Sequence, residues 1–120
     1  NNEQKKYEGY CSDIFTDMAI KFIEENKSNQ FFCYLSFNAP HTPLQVPDKY
    51  YDLYKNVDPS VISESEKISM TEKNVLDAKR IYGMVTNIDD NIGKLVSKLK
   101  ELNIPKVFII DTVSPPPTTE

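Results

Sequence analysis

The chain has 120 residues, 39% hydrophobic and 27% charged, the composition of an ordinary globular domain rather than a disordered or fibrous one. Eighteen acidic against fourteen basic side chains give a net charge of -4, and the scattered basic residues lack the footprint of a nucleic-acid binder. No apolar run approaches the roughly 20 residues that cross a bilayer, and one histidine with two cysteines excludes a zinc cluster or a disulfide scaffold.

The length suits one domain with a modest core. Residues 1–9 read as a solvated lead-in, too polar for a signal peptide, although a precursor can have shed one. Cys11 and Cys33 are expected as free thiols in or beside the core. Ile14, Phe15, Met18, Ala19, Phe22 and Ile23 recur at helical spacing and predict one buried stripe. Ser12, Asp13 or Thr16 can cap that helix, and Asn26, Ser28 and Asn29 stop it. Asn26-Lys27-Ser28 is also a formal glycosylation sequon, relevant only to a secreted chain. Phe31 to Phe37 is a nearly continuous apolar run, expected as a central strand buried on both faces. Asn38-Ala39-Pro40-His41-Thr42-Pro43 ends it, because the two prolines exclude helix and central strand.

A short helical turn is expected around Asp48 to Tyr54, and a polar surface excursion from Asn56 to Thr71. Ile81, Val85, Ile88, Ile92, Leu95, Leu99 and Leu102 then mark a long helix, widened by Met84 and Val96 and begun by residues 72–79. Gly83 and Gly93 are read as close-packing positions against a sheet. Asn103 and Pro105 end the helix. Val107 to Ile110 predicts a second strand, parallel to the first because a helix connects them. The run Pro115 to Pro117 favours an extended tail. The whole reads as an α/β layered fold with a mostly parallel sheet. Its strands are too few for an isolated domain, so the chain pairs with further sequence, self-associates, or exposes sheet edges.

His41 sits on a rigid loop past the carboxyl end of a strand, the edge where open α/β sheets bind ligands. An imidazole there can hold an anionic oxygen or move a proton; alternatively it pins the loop. Asp89 and Asp90, adjacent on a helix, point about 100° apart and are read as structural carboxylates, with Asp90 the more solvated. Asp13 and Asp17 share a helix face, where capping explains them. Asp111 closes a strand, as a turn former or a metal ligand; Ser36 and Thr42 lie near the same edge. There is no Gly-x-Ser-x-Gly elbow and no phosphate loop.

Phe31 through Pro43, ending Leu-Ser-Phe-Asn-Ala-Pro-His-Thr-Pro, resembles a segment of the type I sulfatases. Tyr10-Cys11-Ser12-Asp13 with Thr16-Asp17, Pro47-Asp48-Lys49-Tyr50, and Tyr82-Gly83-Met84-Val85 with Ile88-Asp89-Asp90-Asn91-Ile92-Gly93 resemble others, in the same order. The resemblance covers residues 10–110 and leaves 111–120 as a divergent proline-rich tail. It implies a partial alkaline-phosphatase-like fold whose complete enzyme hydrolyses sulfate esters with a formylglycine nucleophile and calcium. His41 matches the family histidine that contacts the sulfate. Asp89 matches a recurrent aspartate, inferred to be structural. A secreted, periplasmic or lysosomal route is consistent with the resemblance.

The departures are equally specific. No Cys/Ser-x-Pro-x-Arg motif is present to supply formylglycine. Val113 and Ser114 stand where the family carries its metal-binding Asp and Asn, and Asp111 is displaced. The family's early calcium-binding aspartate pair has no counterpart. Calcium is therefore expected for the complete enzyme and not for this chain alone, which is expected to be inactive by itself. A phosphatase or phosphonate-hydrolase relative, or a non-catalytic interaction fragment, is the alternative. Homo-oligomerisation or association with a missing domain also fits.

Overall fold

The computed structural model describes residues 4–63 and 66–104. In chain order it has α1 (Cys11–Asn26), α2 (Asp48–Tyr51), β1 (Val61–Ser63), β2 (Glu66–Lys67) and α3 (Glu72–Glu101). Both α1 and α2 pack on α3. Among the described residues no helix is long and apolar enough to cross a membrane.

α1 starts earlier than its expected caps. Tyr10 takes the N-cap position with extended backbone and no side-chain cap bond. Ser12, Asp13 and Thr16 lie inside the helix, so the capping expectation is corrected. The Thr16 hydroxyl donates to the Ser12 carbonyl at 2.9 Å. The buried residues are Ser12, Thr16, Ala19, Ile20 and Ile23, one stripe at steps of three and four. It is offset from the apolar stripe read in the sequence, which omitted Ile20. Full burial of each isoleucine contributes about 1.5–3 kcal/mol. Phe15, Met18 and Phe22 remain 38%, 49% and 38% exposed. They face the segment after the helix: Phe22 meets Phe31 edge-on at 5.9 Å. Phe15, Met18 and Ala19 line a shallow apolar cavity of ≈ 390 Å³ with Cys33, Tyr34, Leu35 and Ser36. Cys33 is half-buried there and Cys11 is exposed, both as free thiols; Cys11 therefore does not sit at the core.

Residues 31–37 carry neither helix nor ladder among the described residues. Burial alternates along them: Phe31, Cys33, Leu35 and Phe37 are half-buried, while Phe32 and Tyr34 are 83% and 73% exposed. The expectation of a strand buried on both faces is thus corrected to a segment covered on one. A strand forms its ladder only with a neighbour, and the expected partner, residues 107–110, lies outside the described residues, as do Asp111 and the proline-rich tail. The only sheet among the described residues is the antiparallel pair β1–β2, with Val61 opposite Lys67 and Ser63 opposite Glu66. It falls in the stretch read as a polar surface excursion, Asn56 to Thr71. No parallel sheet forms among the described residues.

α3 starts where expected. The Thr71 hydroxyl accepts from the Asn74 amide at 3.2 Å, satisfying one orphan donor of the first turn. Lys98 and Lys100 lie in the last turn, where cations suit the dipole. Asn103 turns the chain out at φ 50°, a left-handed conformation that asparagine tolerates. The fully buried face is Gly83, Met84, Asn87 and Asn91; of the expected stripe, Ile81, Ile88, Leu95, Leu99 and Leu102 are half-buried, while Val85 and Ile92 are 49% and 45% exposed. Gly83 packs on α2 rather than on a sheet: a Cβ there would lie 3.1 Å from the Tyr50 carbonyl and from Val46. Among the described residues no atom lies within 4 Å of the corresponding point at Gly93; the strand at 107–110 expected to form part of that sheet lies outside them.

Candidate functional site

His41 lies on the loop that follows residues 31–37, between the cis peptides Ala39–Pro40 and Thr42–Pro43. Pro40 and Pro43 fix their own φ angles and donate no N–H, so short local bonds shape this loop. The His41 amide donates to the Asn38 carbonyl at 2.9 Å, and the Gln45 amide to the Pro43 carbonyl at 2.8 Å. The imidazole is exposed. Its Nδ1 lies 2.8 Å from the Thr42 carbonyl. A carbonyl only accepts, so the ring hydrogen sits on Nδ1. Nε2 is left for a ligand, as a lone pair in the neutral ring and as a donor in the imidazolium.

One bond ties this loop to a regular element. The Tyr10 hydroxyl, at the α1 N-cap position, donates to the Gln45 carbonyl at 2.9 Å. Partial burial raises the Tyr10 pKa, helped by the neighbouring Cys11 and Asp13 charges, so the phenol keeps the hydrogen it donates. Past the loop, α2 and the turn after it are fixed to α3 by three contacts. Tyr50 donates its hydroxyl to Asp90 at 2.9 Å, the Tyr54 and Thr86 hydroxyls meet at 2.6 Å, and Gly83 seats the Tyr50 carbonyl.

The predicted acidic residues do not gather at His41. Asp13 Oδ1 accepts from the Asn87 and Asn91 side-chain amides, each at 2.7 Å, between α1 and α3. Asp17 pairs with Lys94 on the same interface, and Lys98 reaches Glu24 at 3.3 Å. Asp89 and Asp90 are both exposed, and Asp90, expected as the more solvated, is the one that holds Tyr50. Among the described residues no three His, Cys, Asp or Glu side chains gather to hold a cation. Sequence reasoning missed Tyr10, whose partner is a backbone atom, and the pair Asn87 and Asn91. The last had a signal: two asparagines four apart within an apolar helical pattern.

The family model described as Sulfatase matches residues 1–111. An uncharacterised sulfatase of Schizosaccharomyces pombe is 35% identical over 77 residues, 63% of this chain and 13% of that protein. An arylsulfatase of Clostridium perfringens is 30% identical over 102 residues, 69% of this chain and 21% of that protein. Among solved structures, Ps i-CgsB in complex with k-i-k-neocarrahexaose superposes with a TM-score of 0.67 at 33% identity, covering 86% of this chain and 20% of that one. YidJ of Bacteroides fragilis, described as a sulfatase, gives a TM-score of 0.65 at 26% identity, covering 82% and 23%. The chain belongs to the sulfatase family and takes part of the fold of those proteins. It spans about a fifth or less of the curated relatives.

Proposed function

We propose that this chain is the His41-bearing portion of a sulfate-ester hydrolase, and that His41 holds a sulfate oxygen of the substrate. The observation that carries the reading is the imidazole geometry: Nδ1–H is fixed on the Thr42 carbonyl, and Nε2 of an exposed ring is free to engage an anion. An anionic oxygen only accepts, so the contact requires hydrogen on both ring nitrogens, the imidazolium. A fixed cation beside a transferring oxyanion stabilises the charge that develops there. The formylglycine nucleophile and calcium of the complete enzyme belong, on this reading, to sequence beyond this chain. The parent family's nucleophile motif does not occur in these 120 residues.

The test uses 4-nitrophenyl sulfate and inorganic sulfate. The 120-residue chain alone is expected to release no nitrophenol. In the full-length enzyme, His41→Ala is expected to lower turnover by about 10²- to 10³-fold, the range for removal of one oxyanion donor. Calorimetry is expected to show sulfate binding that His41→Ala weakens. Unchanged turnover and unchanged sulfate affinity in His41→Ala would sink the reading.

A further inference from the structure

We propose that Tyr10 is a positioning residue for His41: its hydroxyl clips the Gln45 carbonyl and so sets where the His41 loop stands relative to α1. The inference rests on the proposed anion-holding role of His41. Among the described residues, the Tyr10–Gln45 bond is the only hydrogen bond from outside the loop to residues 38–46. The other bonds, His41 to Asn38, His41 to Thr42 and Gln45 to Pro43, are local. They give the loop its shape but not its place.

Place comes from two anchors. Tyr10 holds the backbone at Gln45, and Gly83 of α3 leaves the space that Val46 and the Tyr50 carbonyl fill. The anchored positions are adjacent in sequence, so the loop is registered to both helices just past His41. Tyr10 itself is fixed: its carbonyl accepts the Ile14 amide at 3.1 Å as the first bond of α1. Movement of the α1 start is thereby transmitted to the histidine loop. A shift of about 1 Å at a catalytic donor costs up to about a hundredfold in rate, so a bond remote from the ring can control it.

The experiment compares wild type, Tyr10→Phe, His41→Ala and the double variant in the full-length enzyme. The readouts are affinity for inorganic sulfate, turnover of 4-nitrophenyl sulfate, thermal stability, and the ring ¹⁵N signals of His41. Tyr10→Phe keeps the ring and removes only the donor. It is expected to weaken sulfate binding about three- to tenfold, the worth of one hydrogen bond, and to move the His41 ring signals. The double variant is expected to bind no worse than His41→Ala, because Tyr10 acts through the histidine. Full sulfate affinity and unmoved signals in Tyr10→Phe, with His41→Ala impaired, overturn the positioning role and leave the His41 reading standing. Losses that multiply in the double variant also overturn it. A silent His41→Ala overturns both. Should Tyr10→Phe fail to fold, Gly83→Ala presses on the same loop from α3, and an unmoved His41 signal there overturns the inference.

Discussion

At the residue scale, charge matters where burial removes its alternatives. Asp13 and Asp17 look equivalent in the sequence, one helical turn apart. Asp13 accepts two side-chain amides, one from Asn87, which is fully buried, and one from Asn91, which is 4% exposed. Removing its carboxylate leaves the Asn87 amide without that partner, whereas Asn91 keeps the Asn87 carbonyl at 2.8 Å. Asp13→Ala is therefore expected to cost about 1–3 kcal/mol in urea unfolding, the penalty for one buried orphan donor. Asp17→Ala breaks an exposed pair with Lys94 and is expected to cost about 0–1 kcal/mol. Equal losses would show that burial is not what separates them. The place of His41 was legible because Pro40 and Pro43 bracket it. Its tautomer was not, because the Thr42 carbonyl decides it through backbone geometry.

At the element scale, the bounds of α3 were readable and its facing was not. Thr71 and Asn103 bound α3 by local chemistry, a cap and a left-handed exit, and local chemistry is written in neighbouring residues. Which side of α3 is buried depends on what lies against it. Here α1 presents Asp13, and α2 with the turn after it presents Tyr50 and Tyr54, so Met84, Asn87 and Asn91 turn inward and Val85 and Ile92 do not. The first turns also carry a testable charge effect. Lys73 holds the Asp77 carboxyl below its usual range, first by a hydrogen bond, with further help from its charge and from Arg80. A carboxylate with a depressed folded pKa stabilises above its unfolded pKa and loses that contribution as pH falls through the folded one. Asp77→Asn is thus expected to lower the melting temperature near neutral pH, and the difference is expected to close in strong acid. A gap that stays constant with pH would assign the effect to packing.

At the scale of the whole molecule, the described residues bury few large apolar side chains: Ile20, Ile23, Tyr50 and Met84 are the ones inside. Phe32, Tyr34, Leu53 and Ile62 are 83%, 73%, 60% and 58% exposed, in keeping with a chain that spans only about a fifth of its structural relatives. The isolated chain is expected to bind the dye ANS, as exposed apolar surface does. No dye binding would show that the chain closes its own surface.

The extent of α3, the proline-bracketed histidine and the family were determined by the sequence itself, because propensity, turn chemistry and motif spacing act among neighbours in the chain. Tertiary structure alone decided which helix faces meet, that Asp13 serves Asn87 and Asn91, and that Tyr10 holds the histidine loop. Each of these joins residues dozens of positions apart, and only the path of the backbone sets such distances.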